Sequence, residues 1–200
     1  MAYTKKAERT KAKLMESARR LISEKGFDNI SVEDITRDSG VAKGTFYHYF
    51  ACKEDVVCEL SKNTTQATIA RAIEYKGNAV ERCHFYFHEI FKDCEWNGVR
   101  MVRQWLHESI DPSADAVANE ELLSGIYKAL TDIVSIHQGE GKGELKGDAP
   151  LETLCRILVS HCVGVITIWC MLEGSFPLAE ESKVYMRLDI DNLLDPYLIK

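Results

Sequence analysis

Apolar positions recur at intervals of three and four along almost the whole chain. Within residues 5–25, Leu14, Ala18, Leu21 and Ile22 share one helical face, and Gly26 interrupts the run. That spacing predicts a helix ending at the glycine. Val32, Ile35 and Ser39 predict a second, short helix over 32–39. Ser31 suits its N-cap, and Glu33 and Asp34 in the first turn favour its dipole. Gly40 closes it, and a third helix follows over 43–49. A fourth starts near Lys53 and runs to about Tyr75. "NAVERCHFYFHEIFKDC" (78–94), "GVRMVRQWLHESI" (98–110) and "ADAVANEELLSGIYKALTDIVSIHQ" (114–138) all keep the helical period. "GEGKGELKGDAP" (139–150), with its four glycines and proline, is the clearest loop. An apolar helix over 151–173 and a last one over about 179–195 complete the pattern. Strand-like alternation and internal repeats do not stand out. The expected fold is all-α, with a three-helix N-terminal helix-turn-helix domain (1–52) and a larger C-terminal helical bundle (53–200).

Composition changes this picture little. The chain has 200 residues, 46% hydrophobic, with a net charge of -6. That is a globular composition, long enough to bury a sizeable core. No uninterrupted apolar run reaches the roughly 18 residues of a membrane span. The longest, 154–172, is broken by Arg156, Ser160 and His161. The N-terminus has no apolar stretch after its charges, unlike a secretory signal. A cytoplasmic protein without a membrane partner is expected. Seven cysteines, an odd count with no CxxC, argue against a disulfide framework and for thiols packed as small hydrophobes.

Charge is placed unevenly. Residues 1–25 hold eight lysines and arginines against three glutamates, so the other 175 residues carry the acidic excess. A local basic field can attract an anion to that end of an acidic protein. Next to it, Phe46 and Phe50 share one face of helix 43–49 and can pin it to Ile35 and Val41. Lys43, Thr45, Tyr47, His48 and Tyr49 remain on the opposite face. Donors, a cation and planar rings side by side fit phosphates and base edges in a groove. Lys53, opening the next helix, can reach a phosphate.

"SVEDITRDSGVAKGTFYHYFACKEDVV" (31–57) resembles the helix-turn-helix of the tetracycline-repressor (TetR) family of bacterial transcription regulators. The match rests on Val32, Asp34, Ile35, Gly40-Val41, Lys43-Gly44-Thr45, Tyr47, Tyr49-Phe50 and Lys53-Glu54. The resemblance implies a homodimer with a C-terminal bundle for ligand binding and dimerisation. It also implies a near-palindromic operator in double-stranded DNA and an unidentified small-molecule effector. Lys43, Gly44, Thr45, His48 and Tyr49 lie at positions that face DNA in the family, and Ser31, Tyr47 and Lys53 at positions that touch phosphate. Ala42 departs from the serine that usually caps the recognition helix, a loss of about 1 kcal/mol. Cys52 stands where a better cap than a thiol is usual.

Residues 78–174 hold Trp96, Trp105 and Trp169 with many other rings. Phe87, Phe91, Met101, Trp105 and Trp169 are the candidate lining of an apolar pocket, in competition with an ordinary core role. Arg100, Arg103, His107 and Glu108 are candidates for fixing a polar end of the ligand. Val159, Val163, Ile166, Leu193 and Leu194 are the candidate dimer surface. His84 and His88 share a face near Cys83 and Cys94, but two surface histidines need no metal, so no metal site or cofactor is assigned. A thiol- or metal-responsive regulator on the same fold is the alternative. A helical His/Cys enzyme is the alternative of another class. Neither a catalytic triad order nor a phosphate-binding glycine loop nor a paired-carboxylate site supports catalysis, so no catalytic residue is assigned.

Overall fold

A capping box starts the helix on which the N-terminal unit turns. In this computed structural model, Ser31 Oγ accepts from the Asp34 N–H at 3.2 Å, and the Asp34 carboxylate accepts from the Ser31 N–H at 3.0 Å. Secondary structure is described for residues 2–110 and 116–200, and side-chain surroundings for the same residues except 2–6, 61–63, 108–110 and 116–122. α1 (Ala2–Lys25) buries the stripe Leu14, Ala18, Leu21 and Ile22. α2 (Val32–Ser39) ends at Gly40 with φ 66°, a left-handed torsion that costs glycine nothing. The chain then turns into α3 (Lys43–Tyr49) and, after Cys52, α4 (Lys53–Ile73). Ile35, Phe46, Phe50, Val56, Val57 and Leu60 join the α1 stripe in one apolar cluster. The first two turns of α4 therefore share the core of the N-terminal unit.

α5 (Ala79–Ile110) contains one non-helical residue, Gly98, at φ 80°, ψ 158°. Only glycine occupies that region freely. The two helices expected over 78–94 and 98–110 are thus two helical segments joined across this glycine. A Cβ at 98 would meet nothing within 4 Å, so the torsion, not space, requires glycine. Past the break, Met101 enters the N-terminal cluster, with Trp96 packed against it. Arg100 lies 3.1 Å from Asp28 and 3.6 Å from Glu54.

α6 (Ala116–Val134), α7 (Leu151–Met171) and α8 (Leu178–Met186) pack with α5 around a second cluster, which includes Cys83, Phe87, Phe91, Leu130, Leu158 and Trp169. The single helix expected near 179–195 is α8, then a π-helical turn Arg187–Asp191, then the short α9 (Asn192–Leu194). α7 is long and apolar enough to cross a membrane by length and composition, with mean hydropathy 1.8. Arg156 and His161 fall on its exposed side, so they interrupt the sequence run without interrupting the buried stripe. Here Leu154, Leu158, Ile166 and Trp169 are buried in the bundle.

The glycine-rich segment 139–150 is tightly tied. Leu145 and Leu198 form an antiparallel bridge, and Gly143 N–H to Ile199 O and Ile199 N–H to Glu144 O are both 2.8 Å. Beneath it, the buried Arg82 guanidinium forks onto Glu144 at 3.1 and 2.6 Å. Two further donors reach the carbonyls of Ile133 (2.9 Å) and Gly77 (2.5 Å). No strand beyond that bridge occurs among the described residues.

Candidate nucleic-acid interface

α3 is divided by its own sequence. Phe46 is fully buried, its ring 5.6 Å from that of Phe50, so the two pin the helix from beneath. Lys43, Gly44, Tyr47 and His48 are exposed on the other side, and Thr45 and Tyr49 are half-buried. The structure thus brings together the face expected from the spacing. Ala42 makes no side-chain cap, as its methyl dictates. At the start of α4, Asp55 takes over: its carboxylate accepts from the N–H groups of Ala51 (2.7 Å) and Cys52 (3.4 Å). Ser31 is committed to the α2 cap, with its hydroxyl also donating to Asp34 at 2.7 Å. That bond is the main reason the Asp34 carboxyl lies below its ordinary range.

Lys53 is placed differently from the expectation of a phosphate contact. Its ammonium donates to the carbonyls of Phe27 and Ile30, both at 2.8 Å, and lies 4.1 Å from the Phe27 ring centre. Burial lowers its pKa. Two of its three donors thus close the loop after α1. Four other cations of this unit have carboxylate partners. Lys43 bonds Glu33, Arg37 bonds Asp34, Arg20 bonds Asp38, and Lys11 meets Glu59 at 2.6 Å. The Lys43 bond is the first cause of a lowered Glu33 pKa, and the Glu33 bond of a raised Lys43 pKa. Sequence reasoning credited Glu33 only to the helix dipole, because no local spacing rule links positions ten apart.

The five expected pocket residues do not converge. Phe87 and Phe91 line a common cavity of ≈ 20 Å³ with Leu158, Val165, Met186 and Ile190. At its edge His161 Nδ1 lies 3.3 Å from Asp189. Met101 belongs to the N-terminal cluster, and Trp105 is 37% exposed. Trp169 is buried, its indole N–H donating to the Phe176 carbonyl at 3.0 Å. The torsion at Gly98 separates Met101 and Trp105 from the Phe87–Phe91 segment. The expected ligand-fixing arginines are bound elsewhere: Arg100 to the N-terminal unit, and Arg103 to Glu173 (2.8 Å) and the Cys170 carbonyl. His107 is exposed, and the Glu108 side chain lies outside the described residues.

The expected dimer residues lie mostly inside the chain's own bundle. Val159, Ile166 and Leu194 are buried in their own bundle, and Val163 and Leu193 are partly so. Exposed apolar side chains include instead Ile168 and Met171 of α7, Leu172 at its end, Val184 and Tyr185 of α8 and Leu188 of the π turn. A helix apolar nearly all round does not reveal which stripe turns inward.

His84 Nε2 lies 2.7 Å from Asp191, and the buried His88 Nδ1 has no hydrogen-bond partner. No group of three potential metal ligands occurs among the described residues. Burial pushes the Cys162 thiol up to about 12, and raises Cys83, Cys94, Cys155 and Cys170. Thiols held protonated are poor nucleophiles and poor sensors.

A helix-turn-helix unit with an exposed polar recognition face, carried on a helical bundle, defines a DNA-binding transcription regulator. Residues 14–60 match the family of "Bacterial regulatory proteins, tetR family", and with the similar proteins below this supports a TetR-family transcription regulator. The HTH-type transcriptional regulator UidR of Escherichia coli (strain K12) is 23% identical over 172 residues, covering 80% of this chain and 81% of UidR. The fatty acid metabolism regulator protein of Bacillus subtilis (strain 168) is 24% identical over 185 residues, covering 90% and 93%. The fold is shared with the crystal structure of the transcriptional regulator FadR from Bacillus subtilis in complex with stearoyl-CoA. There the TM-score is 0.55 at 21% identity, over 90% of this chain and 97% of that one.

Proposed function

We propose that the protein is a cytoplasmic, homodimeric repressor that holds a near-palindromic operator and leaves it when a small, largely apolar or aromatic ligand enters the bundle. Residues 1–52 read DNA, and 53–200 bind the ligand and dimerise. The observation that carries the reading is the split of α3 into the buried Phe46 and the exposed Lys43, Tyr47 and His48. Lys43, Gly44, Thr45, His48 and Tyr49 meet the groove, Tyr47 and the spare donor of Lys53 meet phosphate, and Ser31 does so once its hydroxyl turns from Asp34. The dimer forms through Ile168, Met171, Leu172, Val184, Tyr185 and Leu188, apolar side chains left exposed in one chain. Two-fold symmetry then requires matching half-sites about one DNA turn, or a multiple, apart.

The ligand enters at Phe87 and Phe91, whose surroundings are almost wholly apolar. That the FadR relative holds stearoyl-CoA supports an acyl or comparably apolar effector. The cavity of ≈ 20 Å³ is about one water in size, so the bundle opens to admit it. α4 is the lever, with the second segment of α5 attached to its base through Arg100 and Glu54. Ligand and DNA then weaken each other equally. The test is selection from randomised duplexes by the full chain, followed by titration at several salt concentrations. Lys43→Ala lowers affinity for the selected site and reduces the salt slope by about one ion. Thr45 or His48 substitutions change base preference. A chain that enriches no duplex at low salt refutes the reading.

A further inference from the structure

Glu33 is a carboxylate on a surface that, on the reading above, meets a polyanion. It is exposed on the first turn of α2 and hydrogen-bonds Lys43, the first residue of α3. The side chains are 58% and 53% exposed, and such a pair adds little to stability in water. Helix capping does not explain it, because Ser31 and Asp34 already form the box. The bond puts the carboxylate within one contact of the exposed face of α3. Tyr47 lies one turn further along that exposed face. A donor and an acceptor are therefore fixed side by side where base edges would lie.

We propose that Glu33 is a specificity-determining residue, reading one G·C pair jointly with Lys43. The inference rests on the DNA-reading role of α3. Across the major groove a G·C pair presents two acceptors, guanine N7 and O6, and then the cytosine amino donor. Lys43 donates to the guanine edge, and Glu33 accepts from the cytosine amino group. An A·T pair sets a thymine oxygen and methyl where the carboxylate needs a donor, so it is rejected. The same carboxylate repels phosphates when no cytosine is there to satisfy it. Glu33 therefore weakens binding to bulk DNA more than binding to the operator, discriminating by repulsion as well as attraction.

The test is selection from randomised duplexes by the full chain as wild type, E33Q and K43Q, with titration against the wild-type site and bulk duplex DNA. Wild type enriches a G·C pair at one position of each half-site. E33Q and K43Q relax that same position, losing about tenfold in discrimination there and keeping the others. E33Q also binds bulk DNA more tightly, with a salt slope steeper by about one ion. A wild-type site that E33Q retains at every position, with an unchanged ratio of site to bulk binding, overturns the role of Glu33 alone. A wild type that enriches nothing overturns the DNA-reading role and this inference with it.

Discussion

Asp93 is a carboxyl that folding works against. Burial lifts its pKa to about 6, although Arg19 and Asn97 pull the other way. Its unfolded value is about 4. A group with a raised folded pKa stabilises the fold fully below the unfolded value and loses that contribution as pH rises through the folded one. Urea denaturation from pH 4 to pH 7 is therefore expected to show Asp93→Asn flattening the decline across pH 4–6 and raising stability at pH 7. Glu144 is the opposite case. Its removal as Glu144→Ala strands the buried Arg82, and an unfolding free energy lower by about 3–5 kcal/mol is expected in the same assay. Local chemistry made Ser31 and Gly40 legible in the sequence. The Glu33–Lys43 and Arg82–Glu144 pairs were not, because they join positions 10 and 62 apart.

At the scale of elements, Gly98 decides where a helical segment points. Gly98→Ala forces a Gly-only torsion on an L residue, with an expected loss of about 1–3 kcal/mol in chemical denaturation. If the segment instead straightens, Arg100 and Met101 leave the N-terminal unit, and DNA affinity falls with them. The helical period revealed α1, α2, α3 and the core stripe of α1, since each has one apolar face. It could not orient α7, which is apolar on more than one face, and so it chose Val159 and Ile166 for the surface. It gave the extent of the α8 region but not the π turn, which is a slip in hydrogen bonding rather than in hydrophobic pattern. The pocket candidates were chosen for their rings and methionine, which do not show where a segment points: past Gly98, Met101 enters the N-terminal cluster, away from Phe87.

For the whole molecule, net charge is a poor guide to the binding end. The overall -6 conceals a basic N-terminal end, where Lys11, Arg20, Arg37 and Lys43 are held by carboxylates. Binding DNA means exchanging those partners for phosphate, so affinity is expected to vary steeply with salt. On the proposed reading, assembly rests on the exposed apolar side chains of α7, α8 and the π turn. Leu188→Glu buries a charge among them and is expected to give a monomer by light scattering at micromolar concentration, while circular dichroism keeps its helical signal. DNA binding should fall with it, since half of a symmetric contact is lost. A dimer that persists in Leu188→Glu with unchanged mass puts the interface elsewhere.

The three tryptophans occupy three distinct stations. Trp96 sits against the N-terminal cluster, Trp105 is partly in water, and Trp169 is enclosed in the bundle. The chain therefore carries its own optical reporters, one at the junction, one at the surface and one in the core. Replacing two of them with phenylalanine at a time isolates each emission. Light from Trp96 then follows the docking of the N-terminal unit, and light from Trp169 follows the opening of the bundle. The order in which the two change after mixing tells which motion leads.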